Sequence, residues 1–227
     1  MKFDLENDKL FFLLILADLS FIFLHILHTN SSLLPNNLFS IDKDRGYAEI
    51  FQYIKEFWVA ILFFLLGIKK RKLLYIVFSL LFLFLFIDDS FELHERFGAF
   101  LADLFHFQPM LGLRARDFGE LVVSAFFGTL FFLSIGIIHY QSDNFTRTVS
   151  KYILGLIVLL VTFGIMIDML EIIVEHPLVN PVLVIVEEGG EMIVMSTITW
   201  FVFRLNLNSA HDEIPFLWKN SLAADKD

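Results

Sequence analysis

The chain contains no cysteine. Disulfides, thiolate metal sites and cysteine nucleophiles are therefore excluded. Basic charge is also scarce. Seventeen Lys and Arg against 26 Asp and Glu leave a net charge of −9, the wrong sign for a nucleic-acid partner. The alternation of apolar and polar residues that marks a membrane β-barrel is missing, and the apolar runs are continuous. No small-x-small cleavage site follows the first apolar stretch, and its flank (Lys2, Asp4, Glu6, Asp8, Lys9) is not net positive. That stretch is expected to be a retained transmembrane helix and not a signal peptide.

What remains is apolar. The chain has 227 residues, of which 57% are hydrophobic and 29 are Phe, and a mean hydropathy of +0.70. This is outside the range of ordinary soluble domains. Hydropathy marks spans near 10–29, 47–68, 73–95, 117–139, 152–175 and 183–205. Each is long enough to cross a ~30 Å hydrocarbon core as a helix. The expectation is an all-α, polytopic integral membrane bundle of about six transmembrane helices. One domain covers residues 1–205, and 206–227 form a short cytoplasmic tail. Six spans place both termini on one side, together with 11 of the 17 Lys and Arg residues, Lys69-Lys70-Arg71-Lys72 foremost. The positive-inside rule makes that side cytoplasmic, in an inner or plasma membrane of bacterial type. Between the third and fourth spans, Phe97, Phe100, Leu101, Leu104, Phe105 and Phe107 repeat like one helix face. They predict a short interfacial or re-entrant helix over the outer mouth.

Twelve carboxylates interrupt this apolar chain on the outer side. They are Asp88, Asp89, Glu92 and Glu95; Asp117 and Glu120; Asp168, Glu171 and Glu175; and Glu187, Glu188 and Glu191. At about 1.5 Å per residue, Asp88 lies roughly 22 Å above Leu73 and Asp168 roughly 24 Å above Tyr152, within the outer third of the core. Acids at that depth call for a cation, a proton or a water-filled cavity. Spacings of three, four and seven residues put them on single helix faces, as in metal sites built inside helical bundles. Bound divalent cations would relieve their repulsion. Oxygen ligands alone favour Ca²⁺, Mg²⁺ or Mn²⁺, and His94 and His176, beside Glu95 and Glu175, shift the preference toward Fe, Mn or Zn. His25 and His28, at the outer end of the first helix, are possible additional ligands. The Glu-x-x-His pair of di-iron bundles is absent.

Lys55 and Asp18 are charges deep in the second and first spans and are expected to pair. Gly189-Gly190 is expected to permit close helix packing. The Phe-rich run 81–86 reads as lipid-facing or core surface.

Asp88-Asp89-Ser90-Phe91-Glu92 resembles the DDxxE form of the aspartate-rich motif of Mg²⁺-dependent prenyl-diphosphate enzymes. Asp168-x-x-Glu171-x-x-x-Glu175 partly resembles their second metal motif. The likeness covers about ten residues and implies a diphosphate held through Mg²⁺; it assigns no family. The functional expectation is a metal-dependent membrane enzyme acting on a lipid or lipid-linked substrate. Arg96, Arg114 and Arg116 would meet an anionic head group, and no particular catalytic side chain is indicated. The alternative is a divalent cation transporter or channel whose entry vestibule is the acidic cluster.

Overall fold

A computed structural model describes residues 8–110, 112–174 and 176–208, and all their regular structure is helical. The helices are α1 (Lys9–Asn30), α2 (Tyr47–Lys70), α3 (Leu73–Phe91), α4 (Leu93–Phe105), α5 (Ala115–Gln141), α6 (Asn144–Val161), α7 (Asp168–Ile173) and α8 (Asn180–Leu207). A π-helical segment, Thr162–Ile167, joins α6 to α7 as one continuous rod. A single 3-10 turn, Asn37–Phe39, lies in the loop after α1.

Five of these rods, α1, α2, α3, α5 and the α6–α7 rod, are long and apolar enough to cross a membrane. The 28-residue α8 matches them in length but carries Glu187, Glu188 and Glu191 in its first half. Boundaries follow local chemistry. Asp143 caps α6 by accepting from the Thr146 backbone N–H at 3.0 Å. Asp117 closes a capping box at the start of α5, accepting from Arg114 N at 2.7 Å. Arg71 (φ 53°) ends α2 in the left-handed region, and Gly67, facing Ile76, lets α3 fold back closely.

The start of α1, the end of α8 and two of the turns cluster at one end of the bundle. Arg204 Nη1 bonds Asp8 Oδ1 at 2.7 Å, Lys72 Nζ meets Asp143 Oδ2 at 2.7 Å, and Asn206 reaches the Leu62 carbonyl. The start of α1, the α2–α3 and α5–α6 turns and the end of α8 therefore lie together, as an even number of rods requires. The core fills this half. Phe63 stacks with Tyr75, Phe78 and Phe82 at 5.2–6.1 Å between centroids, beside Trp200 and Phe201 of α8.

Lys55 and Asp18 pair as the sequence suggests. Lys55 Nζ lies 3.1 Å from Asp18 Oδ1, and neither side chain is exposed. Met192 O at 2.9 Å and Ser196 Oγ at 3.2 Å complete its shell. The Gly189-Gly190 pair serves packing. α8 runs through it unbroken, Gly190 receives the Phe163 ring and Gly189 faces Ile22.

At the other end, α3 stops earlier than hydropathy implies. Glu92 adopts φ 52° and ends the helix. Asp88 Oδ1 accepts the His94 backbone N–H at 2.8 Å, so a short polar side chain competes with the helical ladder and captures the start of α4. Glu95 is thus on α4 and shares no α3 face with Asp88, which corrects the single 73–95 stripe. The amphipathic helix expected between the third and fourth spans is α4. It docks on α5 where Gly98 meets Gly119, so closely that an added Cβ on Gly119 would fall 1.9 Å from the Gly98 carbonyl oxygen.

Candidate metal centre

Asp88, Asp89 and His94 converge at the α3–α4 corner. One ligand atom from each lies within 4.8 Å of the others, a spread that one ion bonded at about 2.0–2.6 Å can bridge. The corner creates this grouping. Without the left-handed residue at Glu92, His94 would point elsewhere on a continuous helix. His94 Nδ1 sits 3.2 Å from Asp88 Oδ2, yet its N–H is not aligned with any acceptor, so the contact is one of charge. Burial alone would lower the His94 pKa, but Asp88, by contact and charge, and then Asp89 and Glu95, outweigh it and raise the value to about 9.

The three residues open into a cavity of about 220 Å³. Its polar end also receives Glu120 from α5, Asp168 from α7 and Glu191 from α8. Sequence reasoning missed two further members, Gln52 and Glu56 of α2. Both are buried, and Gln52 Oε1 and Glu56 Oε2 have no hydrogen-bond partner. Orphaned buried oxygens are costly and fit a cation or a water that they would ligate. Glu56 also hydrogen-bonds Asp89, a contact between two carboxyls that needs a shared proton or a bridging cation. Glu49 and Glu56 lie seven residues apart on α2 and share a face, but nothing in the sequence indicates that this face meets Asp89.

Glu191 enters the cavity through a vacancy in its neighbour. Its Oε1 lies 1.9 Å from where a Cβ of Gly164 would be, and Gly164 is inside the π-helical segment directly before Asp168. Such widened turns are frequent at functional sites. Here the turn and the glycine together admit one carboxylate and aim another.

The other candidates lie elsewhere. Glu92 caps the corner and pairs with Arg45 at 2.8 Å and Arg96 at 3.4 Å. Asp117, fully buried, holds Arg114 at 2.8 Å and lies 3.7 Å from Arg116, which also reaches Glu120 at 3.8 Å. Arg96, Arg114 and Arg116 are thus engaged with the protein's own acids. Glu171 hydrogen-bonds Glu187, and Glu188 feels the charge of Glu191 and Glu187 first and of Glu49 and Asp42 less. His176 is exposed, and its Nδ1 accepts from Leu178 N at 3.3 Å. Glu175 lies outside the described residues. His25 bonds Ser40 at 3.1 Å and His28 the Leu34 carbonyl at 2.6 Å, so both fasten the loop after α1.

Below the acids the cavity turns apolar. Phe84 and Leu85 of α3, Phe127 and Phe131 of α5, and Ile157 and Leu160 of α6 line it. The 81–86 run therefore contributes a site wall as well as core surface.

Fold and site together define an all-helical protein with several membrane-length apolar helices and a small buried carboxylate–imidazole cluster able to chelate a metal ion. The chain belongs to the family described as a domain of unknown function, DUF8692, which matches residues 10–207. No curated protein and no solved structure matches it.

Proposed function

We propose that this protein is a six-pass integral membrane enzyme, with both termini cytoplasmic, that uses a divalent-metal centre near the outer face to act on a lipid or lipid-linked substrate. The observation that carries the reading is the two-ended cavity, with Asp88, Asp89, His94, Glu120, Asp168 and Glu191 above and a phenylalanine-lined slot below. Asp88, Asp89 and His94 would hold the first ion, with Glu56 and Glu191 as further ligands for a multinuclear centre. One imidazole among carboxylates favours Mn, Fe or Zn over Ca²⁺ or Mg²⁺. When bound, the metal supplies Lewis acidity toward an oxygen of the head group. The residues themselves orient that head group, the slot walls exclude water around it, and Glu120 is placed to hold or release a proton at the cavity rim.

Cation transport is the second reading. It draws on Lys55, Asp18 and Ser196, which continue the polar groups inward from Glu56. The core beyond them is closed by Phe63, Phe78, Phe82, Trp200 and Phe201, each at most 1% exposed, and this ranks transport below chemistry. The test is reconstitution in liposomes of a total polar-lipid extract with Mn²⁺ or Zn²⁺. Metal-dependent conversion of a lipid, absent in Asp89→Asn, supports the enzyme. Flux of the ion with every lipid unchanged overturns it in favour of transport.

A further inference from the structure

The slot below the acids is formed by one face of each of three helices. On α5 the face runs Glu120, Ser124, Phe127, Gly128, Phe131 and Ile135, all lining the cavity. Over that stretch the helical rise gives a path of roughly 22 Å, and the corresponding run on α6 and α7, from Asp168 to Ile157, gives roughly 16 Å. The floor is sealed, because Ile135 and Ile157 are 1% and 4% exposed. The side is not. Phe132 and Val161 line the cavity and are also 42% and 41% exposed on the outside of the bundle. They mark an opening between α5 and α6, two helices that touch sparingly. In a membrane this opening faces the acyl region of the bilayer.

Width limits the occupant. A volume of about 220 Å³ is below the ~300–1,000 Å³ of pockets for drug-sized ligands. It suits one hydrocarbon chain and excludes the paired chains of a diacyl lipid. Length is limited too. Gly128 lies about 12 Å below Glu120 along α5 by helical rise, and a Cβ built on it meets nothing within 4 Å. The missing side chain keeps the slot open halfway down.

We propose that the cavity binds a single-chain amphiphile, with its polar head among the acids and its long unbranched hydrocarbon tail reaching Ile135 and Ile157, and that Gly128 sets how long that tail can be. This rests on the reading of the acidic end as a head-group site. It is a statement about binding, so it stands or falls apart from turnover. A larger side chain at Gly128 would shorten the slot without touching the metal cluster, and helix propensity favours it, since glycine is the poorer helix former by about 1 kcal/mol.

The experiment uses the full-length protein in detergent micelles. The probes are hexadecanol and octanol carrying a terminal diazirine, photolysed and mapped by peptide mass spectrometry. The variants are Gly128→Leu and, as control, Gly136→Leu, where an added Cβ also meets nothing within 4 Å on a residue that does not line the cavity. In the wild type and in Gly136→Leu, hexadecanol is expected to label the peptides holding Ile135 and Ile157. Gly128→Leu is expected to lower that labelling at least tenfold while octanol still labels near Leu85 and Ser124. Labelling confined to outward residues such as Leu133 and Ile137 in every variant would overturn the proposal. So would equal deep labelling in Gly128→Leu and the wild type. Metal content measured on the same samples separates the two readings. Deep labelling without bound metal would sink the metal enzyme and leave the tail slot standing.

Discussion

Replacing Gly164 by Ala tests how the π-helical segment serves the site. An ideal Cβ there falls 1.9 Å from Glu191 Oε1, and ordinary contact begins at 3.4 Å, so the oxygen must retreat by about 1.5 Å. Metal–ligand distances tolerate only about 0.2 Å, so Glu191 would cease to coordinate. The fold has little to lose. The clashing atom is the far end of a flexible side chain that can rotate away, and alanine gains up to about 1 kcal/mol of helix propensity over glycine. Loss of one supporting carboxylate at a metal site costs about 10–100-fold in affinity, or about 1.4–2.7 kcal/mol. Calorimetric titration of Mn²⁺ into wild type, Gly164→Ala and Glu191→Gln should show both variants weakened to a similar degree, with melting temperatures at or above the wild type for Gly164→Ala. A Gly164→Ala variant that binds Mn²⁺ like the wild type, while Glu191→Gln does not, would refute the steric argument. Unchanged binding in both would remove Glu191 from the centre.

Three further outcomes are expected. Lys55→Met leaves the Asp18 carboxylate buried without its cation and should lower stability by about 3–5 kcal/mol, whereas Asp18→Asn/Lys55→Met should recover most of the loss, as read by unfolding in micelles. His94 has a folded pKa raised to about 9 from an ordinary 6.5; in the metal-free protein its contact with Asp88 contributes stability that is complete below pH 6.5 and lost as pH rises through 9. A ligating histidine must be neutral, so Mn²⁺ affinity should rise about tenfold per pH unit between 7 and 9 and then level off, in titrations of wild type but not His94→Gln. The chain has no cysteine, so single cysteines can report topology; in intact cells an impermeant maleimide should label His106→Cys and Asn36→Cys but not Ser142→Cys, and the reverse pattern would invert the orientation.

Hydropathy located every long rod to within a few residues except at two places, the α3–α4 corner at the site and the start of α6 at the opposite end of the bundle. The α3–α4 corner was invisible because Asp88, Asp89 and Glu92 continue the helical spacing of α3. The break arises from a side-chain bond, Asp88 to the His94 amide, that periodicity does not encode. The start of α6 precedes the expected span because Thr146, Arg147 and Lys151 are polar but helical. Within each helix the grouping of acids was legible. Which faces meet was not, because sequence period says nothing about how one rod is rotated against the next. Asp117 and Glu92 thus serve caps and ion pairs, whereas Glu56 and Gln52, polar residues within the second span, have unpartnered oxygens in the cavity. The π-helical segment adds a second rotation, and only packing against Glu191 and Gly190 reveals what it is for.

The metal centre is the central claim, and elemental analysis of the purified protein tests it most directly. Protein prepared without chelator should carry at least one equivalent of Mn, Fe or Zn per chain, and Asp89→Asn with His94→Gln should abolish it while the variant still folds. Wild-type protein with no bound metal, whose melting temperature does not move on adding Mn²⁺, Fe²⁺ or Zn²⁺, would contradict the account.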